Sequence, residues 1–394
     1  MNIALVDLPE PRIRLFPFTL TRPLGHLRVG ILTIAEKWKH YLGEEIDCIS
    51  TEVINKKFRK TSGDYELAVS GNVIPNRQLV EAIKKLDNGQ ALFSDDEFLA
   101  VRIDFARIEE ITTADFSERI AYSGEVSMIN RPQDLFLSNS EQIKNDFELL
   151  TKNRKSEAIV DPHTIVYGAE NLFIEKGVKL RAATLNAESG PIYLAKGSEI
   201  QEGAVIRGPF YLGENSRINI NAKVREGTTI GPNCKVGGEI SNSIIFGNSN
   251  KAHGGFLGNS VIGEFCNLGA ATNNSNLKNN YGEVNVWDYA QDDLSGTGLQ
   301  FCGLMMGDHS KSAIGTTFNT GTVVGVASNV FGHGYPRKFV PSFTWGGIGD
   351  IVEHKLEKAI QTAQNVIPRK NGEFAPEDKE ILKEVFEYSK KYRQ

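Results

Sequence analysis

His253 is the side chain best placed by its type for proton transfer. An imidazole has a reference pKa of about 6.5 and accepts a proton near neutral pH. It lies in the run Ser249-Asn-Lys-Ala-His-Gly-Gly-Phe-Leu-Gly-Asn-Ser-Val-Ile-Gly, and the polar run Asn267-Leu-Gly-Ala-Ala-Thr-Asn-Asn-Ser-Asn-Leu-Lys follows. A second group of reactive residues stands near the start. Arg12, Arg14, Arg22 and Arg28 share one stretch with Pro9, Pro11 and Pro17. Guanidinium forks suit phosphate oxygens. The same four residues also fit a solvated basic loop. Cys48, Cys234, Cys266 and Cys302 are scattered, with no Cys-x-x-Cys pair. Free thiols in a reducing cytoplasm are the simplest expectation. His253, His309 and His333 lack the spacing of converging zinc ligands, so no metal site is expected.

The elements that must position these residues are set by a repeat. Leu194, Ile200, Ile206, Leu212, Ile218, Val224, Ile230 and Val236 fall every sixth residue. A helix wants an apolar period near 3.6 and a strand wants 2. A strict six fits a coil of short strands with one inward apolar residue per side. Gly197, Gly203, Asn215, Asn221, Gly227 and Asn233 fall at one fixed place in the hexads, and they tolerate the left-handed corners such a coil needs. Three hexads per coil predict that Leu194, Leu212 and Ile230 stack, as do Ile200, Ile218 and Val236. The repeat resumes at Ile262 and Leu268 and returns from Met306 to Val330. It fails between Thr272 and Gly298, and a long excursion of this kind is usually functional.

Upstream, strands alternate with helices, which predicts an α/β domain. Strands are expected at 2–7, 65–69, 91–94 and 98–103, and helices at 31–41 and 76–86. The expected division is an α/β domain at 1–138, a linking helix at 139–156, the β-helix at 157–348 and C-terminal helices at 349–394. The last two helices should form a hairpin that caps the open end of the coil. The chain has 394 residues, 40 % hydrophobic and 24 % charged, with formal net charge -5. That charge gives no argument for nucleic acid or an anionic membrane. No apolar run is long enough to span a bilayer, and the first residues lack signal-peptide character, so a cytoplasmic protein is expected.

Two stretches carry a family resemblance. Arg14-Leu15, Pro17, Thr19 and Pro23 keep the frame of a sugar-nucleotidyltransferase signature. Leu8-Pro-Glu-Pro-Arg-Ile replaces its glycines, Leu24 its lysine, and Asn72 its metal-binding aspartate. From about Lys223 to Gly332 the chain resembles the acetyltransferase half of the bifunctional uridylyltransferase/glucosamine-1-phosphate acetyltransferase family, in its archaeal form. The resemblance implies a left-handed parallel β-helix, a homotrimer and acetyl-CoA as cosubstrate. It makes His253 the general base. It makes Arg225, Phe256, Asn267 and Asn276 substrate contacts, with Phe256 standing where the family has a tyrosine. Glu239 or its neighbour replaces a phosphate-binding lysine. Arg337 and Lys338 are candidates for the CoA phosphates. Arg14, Arg22 and Arg28 are candidates for nucleotide phosphate.

The expected function is N-acetylation of an amino-sugar 1-phosphate in sugar-nucleotide biosynthesis, with a reduced nucleotidyltransferase domain. A nucleoside triphosphate and Mg²⁺ enter only if that domain is active. The alternatives are a sugar-1-phosphate nucleotidyltransferase whose β-helix serves assembly, and a non-catalytic trimeric scaffold.

Overall fold

The computed structural model describes residues 2–60, 64–112, 116–349 and 351–393. The first strand, β1 (Ile3–Val6), is buried along its whole length, as its apolar run requires. Helix α1 (Pro9–Arg14) follows, where the sequence suggested a loop. Pro9 opens it, because a proline at the first helical position has no N–H to leave unpaired. Helix α2 (Ile34–Leu42) starts at a capping box of Thr33 and Glu36 and ends at the left-handed Gly43. Next come β2 (Asp47–Ile49), α3 (Glu52–Phe58), β3 (Tyr65–Ser70), β4 (Val73–Ile74), α4 (Arg77–Lys84), β5 (Gln90–Ser94), β6 (Glu97–Phe105), α5 (Ile108–Thr112) and β7 (Glu118–Ala121). Among the described residues the main sheet has the order β2-β1-β3-β6-β5-β7. The β1–β2, β1–β3 and β5–β7 pairs are parallel, and the pairs through β6 are antiparallel.

Helix α6 (Pro132–Thr151) begins seven residues before the expected linker, again at a proline. Its Ile143 packs with Phe173, Tyr193 and Tyr211 of the coil, and Phe147 and Leu150 lie against them.

Residues 165–347 wind into a three-walled parallel β-helix. Among the described residues the first wall has nine strands, from Leu172–Ile174 to Phe339–Val340. The second runs from Lys179–Leu180 to Thr344–Gly347 and closes on Val352–Glu353, which pairs antiparallel. The third runs from Ile165–Tyr167 to Phe256–Gly258 and continues through Asn273–Asn274 paired with Thr317–Phe318. Leu194 pairs with Leu212 and Leu212 with Ile230, while Ile200, Ile218 and Val236 stack on the next wall. All six are fully buried. Asn215, Asn221 and Asn233 take φ of 55°, 57° and 57°, the left-handed corners that the hexads call for.

Two expectations change. The excursion after Thr272 holds a hairpin, Asn285–Asp288 paired with Asp293–Gly296. Its Trp287 stacks on Phe339, and its Tyr289 meets Phe16 and Tyr392 edge-on. The excursion is therefore a clamp between the N-terminal domain, the coil and the C-terminus, held by aromatic burial. The C-terminal hairpin, α7 (Leu356–Val366) and α8 (Pro376–Tyr388), does not lie across the open end. It runs back along the edge between the first two walls. There Lys370 reaches the Asn233 carbonyl at 2.7 Å, and Lys57 of α3 pairs with Asp378 of α8 at 2.5 Å. At the coil end it is Val352–Glu353 that pairs with the last strand of the second wall.

Candidate functional site

The region around His253 is shaped by a shortened coil. Ile218 pairs with Val236, eighteen residues on, but Val236 pairs with Lys251, only fifteen on. The corner before the third wall shrinks to Gly237-Gly238, and Gly238 has φ 81°. The register therefore turns Lys251 into the inward position between Val236 and the Leu268 coil. Its side chain is buried, and its ammonium donates to the Gly237 carbonyl at 3.2 Å and to the His253 carbonyl at 3.0 Å. Among the described residues no carboxylate pairs with it. Burial lowers its pKa to about 8.

His253 is exposed on the corner Ala252–Gly255, which leads from the second wall to the third. The corner is fastened on both sides. Asn219 donates to the Ala252 carbonyl at 2.7 Å, and the Ala271 N–H to the Gly254 carbonyl at 3.0 Å. The Phe256 N–H donates to Asn273 Oδ1 at 2.8 Å. A free imidazole on a pinned backbone suits a proton acceptor.

Arg225 and Phe256 share the outer face of the third wall. Lys223 pairs with Glu239, and Glu239 with Phe256, so two rungs separate them, roughly 10 Å at strand spacing. Arg225 is exposed, with Glu226 at 3.9 Å. Asn276 is half-buried and donates to Asn259 Oδ1 at 2.8 Å, beyond the Phe256 strand. His253, Arg225, Phe256 and Asn276 thus gather along one wall and its leading corner. Asn267 does not join them. It is exposed on the second wall, between Asn250 and Lys311. Arg337 and Lys338 do not join them either: they lie three rungs further along the axis, just before the first-wall strand that begins at Phe339. They line a cavity of about 560 Å³ with Trp287, Tyr392 and Arg393. Lys338 already donates to the Asn285 carbonyl at 3.0 Å.

The arginine stretch is mostly structural. Arg22 is buried and pairs with Asp308 and, at 3.3 Å, with Glu264, both in the coil. Burial pushes the Asp308 carboxyl up, but the charge of Arg22 together with His309 and the hydrogen bonds from Thr21 and the Glu264 N–H leaves the pKa below the usual range. Arg28 donates to the Phe246 and Ile31 carbonyls, its side chain 13 % exposed. Neither presents a free fork to a phosphate, so both are corrected to struts between the N-terminal domain and the β-helix. Arg14 pairs with Glu10 on the surface.

The positions that departed from the nucleotidyltransferase frame are closed. Leu24 and Asn72 are both 0 % exposed. The Leu24 N–H donates to Asp7 Oδ1 at 3.0 Å, and Asn72 is held by Ser70 and Asn130. Burial raises the Asp7 pKa to about 6, with Arg12 at 3.9 Å opposing. The cleft at the carboxyl ends of β1 and β3 measures about 410 Å³. Its lining combines Pro9, Phe93 and Phe98 with the acids Glu10, Asp96 and Glu97, and holds no basic residue. That lining is wrong in charge for a triphosphate. Among the described residues no three His, Cys, Asp or Glu side chains converge as a metal site, and no helix is long and apolar enough to cross a membrane.

Lys251, Asn273 and the acids that hold Arg22 were missed in the sequence. Counting coils from the Gly237-Gly238 corner was the signal for Lys251, since that corner is two residues short. The partners of Arg22 left no local trace.

Three solved structures resemble parts of the fold. The polySia specific acetyltransferase NeuO is 11 % identical and covers 50 % of this chain and 85 % of its own, with a TM-score of 0.27. An Arabidopsis UDP-N-acetylglucosamine acyltransferase is 15 % identical and covers 57 % and 88 %, with a TM-score of 0.24. A Caulobacter crescentus perosamine N-acetyltransferase variant, in complex with CoA and GDP-perosamine, is 11 % identical and covers 89 % and 97 %, with a TM-score of 0.14. Scores of this size carry no functional argument, which rests on this chain's own residues. Among curated proteins none matches this sequence. Residues 3–155 match the family model for sugar nucleotidyl transferases, and within that span the signature positions Leu24 and Asn72 are packed shut.

Proposed function

We propose that the protein is an acyltransferase that moves an acetyl group from acetyl-CoA to the amine of an amino-sugar 1-phosphate. The observation that carries this reading is the pinned, solvent-facing His253 corner on the wall that also bears Arg225 and Phe256. The amine nitrogen attacks the thioester carbonyl carbon. A C–N bond forms and the C–S bond breaks. His253 takes the proton from the amine and returns it to the leaving thiolate, so no covalent enzyme intermediate is needed. Arg225 offers a fork to the sugar phosphate two rungs away. Arg337 and Lys338 offer charge to the CoA phosphates further along the axis.

Two exposed side chains beside the same corner favour a threefold assembly of copies of this chain. Ile220 and Ile314 are 60 % and 80 % exposed on this edge, on coils before and after His253. A second copy packed on that ridge would cover apolar surface and turn an open corner into a cleft.

The match over residues 3–155 favours a second reading, sugar-1-phosphate nucleotidyl transfer. The buried Leu24 and Asn72 oppose it. One experiment separates the two. A panel of amino-sugar and sugar 1-phosphates is assayed for CoA release and for pyrophosphate release. CoA release with little pyrophosphate supports acetylation. Pyrophosphate release that depends on Mg²⁺ and a nucleoside triphosphate, without CoA release, replaces it with the second reading.

A further inference from the structure

A groove of about 520 Å³ runs along the second wall, between the asparagine corners and the turn that follows α7. Lys235, Lys311, Arg369 and Lys370 are its charged lining, and no carboxylate joins them. Lys235, Asn250, Asn267 and Lys311 follow one another on consecutive rungs, so the two wall lysines are about 14 Å apart along the backbone ladder. Lys235 and Arg369 are exposed, and their side chains have no hydrogen-bond or ion-pair partner among the described residues.

The other two cations are held in place. Lys370 donates to the Asn233 carbonyl at 2.7 Å and to Asn250 Oδ1 at 2.8 Å. Lys311 donates to the His309 carbonyl at 2.6 Å. Each ammonium has three protons, so both keep a donor to spare. Burial lowers the pKa of both amines. Cations after a helix often serve its last carbonyls. Here Lys370 turns to the coil instead, which leaves the charge facing the groove.

Four like charges without a counter-ion are unfavourable unless a ligand supplies the negative charge. One carboxylate would leave a large excess. A diphosphate balances it and spans several contacts.

We propose that this groove binds the diphosphate group of a small ligand, with Lys235, Lys311, Arg369 and Lys370 as its cationic contacts and Asn267 as a neutral donor. The site lies on a different wall from Arg225 and does not depend on the acetyltransferase reading. CoA and nucleoside diphosphates share this chemistry.

Titration calorimetry on the full chain would use inorganic pyrophosphate, UDP and CoA as probes. The variants are the double Lys235→Ala/Arg369→Ala and, separately, His253→Ala. Both groove side chains are exposed and unpaired, so the double variant should melt like the parent. At least one probe should bind the parent with a Kd below roughly 1 mM, and the double variant should weaken it by about tenfold or more. His253→Ala should leave that affinity unchanged even where it abolishes acetyl transfer. A response to all three probes identifies bare diphosphate recognition. Loss of CoA binding alone in the double variant assigns the groove to the cosubstrate, and loss of UDP binding alone assigns it to a nucleotide. Binding that the double variant leaves intact for every probe, or no binding of any probe to the parent, overturns the proposal.

Discussion

His253 is exposed and its side chain supports nothing, so its removal should separate chemistry from stability. His253→Ala should lower kcat for acetyl transfer by about 10² to 10⁴, roughly 3 to 5 kcal/mol of barrier, at an unchanged melting temperature. Near-full kcat at saturating amino sugar would dismiss the proposed base. Lys251 makes the opposite case, because it is buried and unpaired by any acid among the described residues. Burial holds its folded pKa at about 8, below the ordinary lysine value of about 10.4. Between those values the unfolded chain binds more protons than the folded one, so stability from this group rises with pH across that window. Relative to Lys251→Met, the parent should gain up to about 3 kcal/mol from pH 8 to pH 10.5, read by denaturant melts. A flat difference across that range would mean the amine is solvated.

The elements meet through few but buried contacts, and Arg22 is the sharpest of them. It carries the N-terminal loop onto Asp308 and Glu264 of the coil. Arg22→Met should cost about 3 to 5 kcal/mol, because it leaves the Asp308 carboxylate buried without its partner. The folded carboxyl is held below its ordinary pKa, so this contribution is complete above about pH 4 and is lost as pH falls further. Acid melts of parent and variant should therefore converge. A variant as stable as the parent at pH 7 would show the pair to be dispensable. The nucleotide frame gives a second test at this scale. Leu24→Lys with Asn72→Asp places two charges where both side chains are 0 % exposed. That pair of changes should destabilise the domain by several kcal/mol rather than restore metal binding. Gain of Mg²⁺-dependent pyrophosphate release in a stable double variant would contradict the packing described here.

At the scale of the whole molecule, the His253 edge is the proposed meeting surface between copies of this chain. Ile220 and Ile314 stand open on it, and a trimer of the proposed kind would cover them. Light scattering should report three times the 43.5 kDa of one chain. Ile314→Glu should shift that mass toward one copy and raise KM for acetyl-CoA more than it lowers kcat, because the cleft and not the base is lost. A monomer that retains full activity would remove the shared-cleft mechanism.

The sequence alone determined the β-helix, because a six-residue period has one geometric solution and its evidence is local. Each inward Ile, Leu or Val and each corner Asn or Gly reports its own backbone requirement, so the stacking of Leu194, Leu212 and Ile230 could be read by counting. The α/β order of the first domain was legible for the same reason. His253 was legible as a chemical type within a resembling segment, not as a geometry. Tertiary structure decided what depends on partners distant in the chain. The charge of Arg22 looked available until Asp308, 286 residues away, was found against it. Lys251 is turned inward by a three-residue shortening of the coil, which the pairing register fixes. The hairpin after Thr272 and the final helices looked like site and cap, and instead they tie three parts together through Trp287, Tyr289 and Lys370. Periodicity records how each residue meets its neighbours in sequence. Burial and ion pairing are set by whichever distant surface the chain folds against.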